Sequence, residues 1–247
     1  MDSIIWRVEE VASIASTNAW LVEEVRRGAP EGRAIMAHYQ SAGRGRLDRH
    51  WGAPAGSALL LSLLLRPATV RGASWAVSAV ALSVRAALVR LSGVRPSLKW
   101  PNDLVVGDEK LGGLLSELVT VDPPSIVVGV GVNLTESPPE LPATSVARLS
   151  GVTIWPRALC DIVLEEVDNR RALLEHAAGL ATLRDEYLGA SATIGRPVRV
   201  ELIDGVITGD AIDVDEDGAL VVDVEGERRI FSAADVVHLR ARQRGEE

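Results

Sequence analysis

The sequence has little of what would mark a secreted, metal-clustered or nucleic-acid-coating protein. It contains a single cysteine, Cys160, which excludes an intramolecular disulfide framework and any cysteine-cluster zinc site. Positive charge is in deficit: the net charge is −8, so no global basic field exists to hold DNA. Long hydrophobic runs are missing too. The run at 58–65 is too short to span a bilayer, and the one at 75–91 carries Arg85 and Arg90. The N-terminus has acids at Asp2, Glu9 and Glu10 and no apolar segment suited to a signal peptide. A cytoplasmic protein without a membrane partner is expected. Lysine is scarcest of all, with Lys99 and Lys110 the only two among 26 basic residues. Such a bias suggests that lysine survives where arginine will not serve.

What is present is ordinary for a globular chain. Hydrophobic residues make up 47% and charged residues 24% of 247, enough for one sizeable core or one core with a small appendage. The pattern predicts a helix over 16–27, with Ser16 or Thr17 as N-cap and Gly28 behind it. A buried strand over 33–40 leads into a glycine- and arginine-rich loop, followed by a central strand over 57–66. A buried helix over 75–91 ends at Ser92-Gly93. Short strands over 98–100 and 104–106 flank Pro101-Asn102-Asp103, and apolar strands follow over 113–121 and 125–133. After a proline-rich loop over 136–142, an amphipathic helix over 156–175 buries Leu159, Ile162, Val163, Val167, Leu173 and Leu174, and helix continues over 180–188. From about Ala192 the period changes to two. Strands over 196–202, 206–214, 220–224, 228–232 and 236–239, with turns at Asp204-Gly205, Asp217-Gly218 and Glu225-Gly226, read as a small antiparallel barrel. The expected division is 1–192 and 193–247.

Three segments carry candidate chemistry. Ser16-Thr17-Asn18 reads, alone, as a helix cap. Gln40-Ser41-Ala42-Gly43-Arg44-Gly45-Arg46, continuing to Arg49 and Trp51, has amides and guanidinium groups able to gather phosphate oxygens. It has neither the Walker A nor the Rossmann spacing, and a solvated basic loop is the alternative. Lys99-Trp100-Pro101-Asn102-Asp103 presents polar groups at a turn, and the glycines behind Lys110 in Lys110-Leu111-Gly112-Gly113 allow close approach of a ligand. A hairpin tip with an exposed lysine is the alternative there. His38, His50, His176 and His238 lack metal-ligand spacing and read as structural or surface residues. Cys160, Trp6, Trp20, Trp75 and Trp155 read as packing, and Arg170-Arg171 as a solvated helix face.

Taken together and in order, STN at 16–18, Q-x-x-GRGR at 40–46, KWPND at 99–103, KLGG at 110–113 and GVGVN at 129–133 resemble the biotin protein ligases, over nearly the whole chain. Both lysines, three of the four asparagines and one of the two glutamines fall inside these motifs. The resemblance implies an α+β fold, with a mixed β-sheet backed by helices (a biotin/lipoate ligase and class II synthetase-like catalytic core) and a C-terminal SH3-like β-barrel. It implies ATP-dependent activation of biotin to biotinyl-5'-AMP, then transfer to a lysine of a biotin carboxyl carrier domain, releasing AMP and pyrophosphate. It puts Ser16, Thr17, Asn18, Gln40 and Gly43 at biotin, with Arg44, Gly45 and Arg46 in a loop that closes over biotin and the adenylate. Lys110 falls at the reacting carboxylate and phosphate, Lys110 and Gly112 are among the biotin-binding residues, and Lys110, Arg44 and Arg46 are the expected catalytic residues. Arg46, Arg49, Trp51, Lys99, Asn102 and Asn133 fall on the nucleotide side, and Asp103 near magnesium held through the phosphates. Asp48 and Gly112 depart from the usual family residues. The expected partners are biotin, ATP and the carrier domain, with a homodimer left open. No DNA partner is expected, since STN at 16 leaves no room for a preceding helix-turn-helix. A lipoate ligase is the nearest competing reading, opposed by GRGR and KWPND together; a degenerate biotin-binding protein is opposed by Lys110 and Arg44.

Overall fold

The computed structural model describes residues 3–47, 49–138, 141–202, 205–232 and 234–239. Its main sheet has seven strands: β1 (Arg7–Val11), β2 (Arg33–Ala37), β3 (Ala58–Leu65), β4 (Ser97–Lys99), β5 (Asp103–Val106), β6 (Glu109–Val121) and β7 (Pro124–Asn133). Their spatial order is β1-β2-β3-β7-β6-β5-β4. β1 and β2 are parallel and the other pairs antiparallel, so the sheet is mixed as expected. β3 is buried at all eight positions in the interior of the sheet. β1 was not expected. It is an edge strand of sequence RVEEV, whose charges blur the alternation that marks a buried strand.

Helix α1 (Thr17–Arg26) packs on one face of the sheet, its N-terminus capped by Ser16, which accepts from the Ala19 amide at 3.4 Å. Helix α2 (Val70–Ser92) packs on the other face. It is long and apolar enough to cross a membrane, but 67% of its apolar window is buried inside the fold. A short helix α3 (Val146–Ser150) follows β7, and then α4 (Pro156–Arg171) and α5 (Ala177–Ala190) join α2 on its face. The helix expected over 156–175 stops four residues early, giving way to a 3₁₀ turn at Ala172–Glu175. His176 restarts the chain by accepting the Gly179 amide on Nδ1 at 2.9 Å. Apolar periodicity does not register a cap of this kind.

Two expectations about this layer need correction. Arg170 and Arg171 are mostly buried, at 19% and 11% exposure; they pair with Glu166 and Asp168 on their own helix and with Glu186 and Glu31 from other elements. Trp155 is 77% exposed rather than packed, since it precedes α4 outside the helix–sheet interface. Cys160 is buried, and its thiol pKa is pushed up to about 12, first by burial.

The period of two decides which strand residues meet which layer. Along β3, Leu59, Leu61, Leu63 and Leu65 join the large core under α2, and each fully buried leucine of this kind contributes about 1.5–3 kcal/mol. The other face of β3 carries Leu60, Ser62 and Leu64. Leu64 packs with Leu21, Val22 and Val25 of α1 in a second, smaller core. Along β7, Val128, Val130 and Val132 face α2, leaving Val127, Gly129, Gly131 and Asn133 on the face of α1.

Strands β8 (Pro197–Leu202), β9 (Gly205–Val214), β10 (Leu220–Val224), β11 (Glu227–Phe231) and β12 (Asp235–His238) form the expected small SH3-like barrel, all antiparallel, in the order β11-β10-β9-β8-β12. Asp204 of the first expected turn lies outside the described residues. Val198, Val200, Leu220 and Val222 belong to the same core cluster as α2, so the barrel shares its core with the larger part of the chain. Polar contacts fix its setting: the Trp75 indole donates to the Glu216 carbonyl at 2.8 Å and the Trp100 indole to the Gly218 carbonyl at 3.1 Å.

Candidate active site

One row of residues crosses the α1 face of the sheet in register: Leu60 on β3, Gly131 on β7, Gly113 on β6 and Asp103 on β5. Beside it runs Ser62, Gly129 and Leu115. The glycines lower this floor, and a cavity of about 1070 Å³ opens above it. The space over two of them is already assigned. A Cβ on Gly129 would lie 2.2 Å from Asn18 Oδ1, and one on Gly131 would lie 2.5 Å from the Trp51 ring.

One end of the cavity is neutral and closely held. Ser16, Thr17 and Asn18 are 5%, 4% and 4% exposed where α1 begins. The Thr17 amide and hydroxyl both donate to Gln40 Oε1, at 2.7 and 2.9 Å. Ser62 Oγ lies 2.8 Å from Thr17 Oγ1 and 2.6 Å from Asn18 Oδ1. The Asn18 amide nitrogen donates to the Leu115 carbonyl at 3.1 Å and to Glu117 Oε1 at 3.0 Å. With both its donors engaged, the orientation of the Asn18 amide is set by its partners.

The other end is cationic. Two described stretches, Arg44–Leu47 and Arg49–His50, are drawn together as a hairpin: the Gly45 amide donates to the Arg49 carbonyl at 2.7 Å, and Arg44 bridges His50. Gly43 lies directly against the Trp51 backbone, accepting its amide at 2.9 Å. Arg44 pairs with Glu117 at 2.7 Å, and Arg46 donates to the Ala234 carbonyl of the barrel at 3.1 Å. Lys110 Nζ lies 2.6 Å from Asp103 Oδ1 and 5.7 Å from the centre of the Trp51 ring, a cation–π contact. The Trp51 indole nitrogen is itself buried without a hydrogen-bond partner. A second cavity, of about 880 Å³, lies beside the first and shares the arginine hairpin, Trp100, Pro101 and Asn102 with it.

The barrel supplies the remaining wall with Arg196, Val236 and His238. His238 Nε2 lies 3.1 Å from Thr193 Oγ1, and its Nδ1 lies 3.4 Å from Arg196. Its pKa is lowered to about 4 by burial, then by Lys99 and Arg196, against the opposite pull of Asp108. The ring is therefore neutral at pH 7.

Ser16, Thr17, Asn18, Gln40, Arg44, Gly45, Arg46, Arg49, Trp51, Lys99, Asn102, Asp103, Lys110 and Asn133 all line the larger cavity, although they come from distant parts of the chain. Asn102 and Asn133 spend their amide nitrogens on the Leu114 and Thr144 carbonyls, which holds both side chains in place. Gly112 is not on the floor. A Cβ there would lie 2.6 Å from the Gly131 carbonyl, so this glycine serves the close approach of β6 to β7, and Gly113 lines the cavity instead. Asp48 lies outside the described residues. Sequence reasoning missed Ser62, Glu117, Thr193, Arg196 and His238. A lone serine in an otherwise leucine and alanine strand was the one available signal.

Among the described residues no three His, Cys, Asp or Glu side chains converge on a metal position. Asp103, the carboxylate expected near magnesium, gives its Oδ1 to Lys110. This donor set does not make a resident magnesium cage.

Comparison with known proteins returns two family matches. The biotin/lipoate A/B protein ligase family matches residues 10–133, and the biotin protein ligase C-terminal domain matches residues 193–239. A biotin–[acetyl-CoA-carboxylase] ligase from Mycobacterium tuberculosis is 37% identical, over 95% of this chain and 90% of its own. The bifunctional ligase/repressor BirA of Escherichia coli is 32% identical over 86% of this chain and 68% of its own. Among solved structures, the biotin protein ligase from Aquifex aeolicus in complex with biotin and ATP superposes with a TM-score of 0.77 at 26% identity, covering 98% of this chain and all of that one.

Proposed function

This chain belongs to the biotin/lipoate A/B protein ligase family, and from that premise we propose that it activates biotin with ATP to biotinyl-5'-AMP and passes the biotinyl group to a lysine of a biotin carboxyl carrier domain. The observation that carries this reading is the polarity of the larger cavity: a neutral, hydrogen-bonded end at Ser16–Asn18 and Gln40, and a cationic end at Lys110 and the arginine hairpin. A neutral ureido head group with a carboxylate at the far end of an alkyl chain has the same polarity.

The chemistry asks for little beyond positioning and charge. A carboxylate oxygen of biotin attacks the α-phosphorus of ATP, and pyrophosphate leaves with the electron pair of the broken P–O bond. Two anions must be brought together, so positive charge held away from bulk water is the first requirement. Lys110, fixed between Asp103 and the Trp51 face, supplies it at the floor, and Arg44 and Arg46 supply it from above. The acceptor lysine amine then attacks the acyl carbon and AMP departs. No side-chain nucleophile is needed because substrate carboxylate and acceptor amine fill that role. In this reading Asn133 and the Trp51 indole N–H, which line the cavity, would meet the nucleotide. Magnesium comes with ATP as part of that substrate. Residues 1–192 would then form the catalytic part, with 193–247 a barrel that closes the nucleotide end. A cytoplasmic location belongs to the same reading, since one buried thiol places no demand for an oxidising compartment.

The test is biotin-dependent ATP–pyrophosphate exchange by the purified chain, with lipoate in parallel and with magnesium omitted. Exchange with biotin and magnesium is the expected result. Exchange with lipoate in place of biotin overturns the substrate, and exchange with neither acid overturns the activity.

A further inference from the structure

Glu117 is absent from every chemical motif in the sequence and does not line the larger cavity, yet two residues that do line it meet on one of its oxygens. Glu117 Oε1 accepts from the Asn18 amide nitrogen at 3.0 Å and from Arg44 at 2.7 Å. Asn18 belongs to the neutral end of the cavity and Arg44 to the cationic end. We infer that Glu117 is a positioning residue that holds both ends in working order: it orients the Asn18 amide toward the head group and pins the base of the arginine hairpin to β6. This inference rests on the biotin ligase reading.

Three observations carry it. Asn18 has two donors, and Glu117 takes one while the Leu115 carbonyl takes the other, at 3.1 Å. Oδ1 is thereby turned to Ser62 and the cavity, and an amide flip would set its NH₂ against the Ser62 hydroxyl and its oxygen against two acceptors. Arg44 sits at the first rung of the hairpin, bridged to His50, so holding its guanidinium also holds the hairpin's base. The pair is half open to solvent, at 47% exposure for Arg44 and 31% for Glu117, so its loss is worth only a few-fold. Arg44 gives Nη2 to Glu117, which leaves its other N–H donors for an adenylate phosphate while the pair keeps the loop in place.

Two substitutions separate the roles. Glu117→Gln retains an acceptor for Asn18 but removes the charge facing Arg44. Its KM for biotin in pyrophosphate exchange is expected within about twofold of the unsubstituted protein, while release of biotinyl-5'-AMP into solution rises about three- to fivefold, the worth of a half-exposed ion pair. Glu117→Ala removes both contacts and should raise the biotin KM about tenfold as well, since the Asn18 amide loses one of its orienting partners. Arg44→Ala combined with Glu117→Ala should release the adenylate no faster than Arg44→Ala alone. Unchanged biotin KM and adenylate release in both Glu117 variants, with exchange intact in the unsubstituted protein, overturns the inference and leaves the ligase reading standing. Equal losses in Gln and Ala variants that follow a lowered melting temperature also overturn it, by making Glu117 merely structural. Absence of exchange in the unsubstituted protein overturns the ligase reading itself.

Discussion

The start of α1 and the arginine hairpin line one cavity and meet on Glu117, yet they are built on opposite principles. Ser16, Thr17 and Asn18 are almost fully buried, and their side chains are committed to Gln40, Ser62, Leu115 and Glu117 or to the helix cap. The hairpin closes on itself through backbone bonds from Gly45 to Arg49 and from Trp51 to Gly43, with Leu47 in the left-handed region and 68% exposed. A head group that never changes during the reaction is met by a rigid surface. The reacting end, where charge appears and disappears, is met by long cationic side chains that can be rearranged at little cost. The difference is one of satisfaction: buried polar groups with every partner in place cannot move independently, and half-exposed arginines can.

The largest break in this contrast is expected from Gly129→Ala. A methyl 2.2 Å from Asn18 Oδ1 must displace a side chain that has nowhere to go. Biotin-dependent exchange should fall more than about a hundredfold, with a stability loss of about 1–3 kcal/mol in denaturant unfolding. Arg44→Ala should act on the other side only. Adenylate retention is expected to drop about tenfold in a filter-binding assay while stability stays within about 0.5 kcal/mol, as for other exposed pairs. Equal retention would show that the hairpin shields nothing.

Ser62→Ala sharpens the rigid side. It removes the hydroxyl between Thr17 and Asn18, and should cost about 1–2 kcal/mol in thermal unfolding with a smaller rise in biotin KM. The smallest effect belongs to the barrel wall. Burial holds the His238 pKa at about 4, below the ordinary 6.5, so the unfolded chain binds its proton more readily. Stability from this group is full above about pH 6.5 and is lost as pH falls toward about 4, amounting to about 1 kcal/mol after allowance for solvent. Unfolding of a His238→Gln variant across that window should lack this slope.

Much of this fold was legible from periodicity. Ala58–Leu65 had to be a central strand because eight apolar or small residues in a row leave no face for water, and the period-two segments after 192 had to pair antiparallel across short turns. Where side-chain capping or long-range charge pairing decided, the pattern misled: α4 stops at Arg171 rather than running on, and Arg170 and Arg171 reach Glu186 and Glu31 on other elements.

The candidate site divides in the same way. Rare residue types in local clusters, two lysines and a Gly-Arg loop, were visible in the chain itself, because binding an anion requires particular side chains close together in any fold. Ser62, Glu117 and His238 carry no such local mark. Their place depends on strand register: Ser62 faces Gly129 because β3 and β7 pair in one alignment, and shifting β3 by a single residue would turn it into the core under α2. Residue chemistry is written in the sequence, but which distant polar groups share an oxygen is decided only when the sheet has assembled, since register is a property of paired strands and not of any one of them.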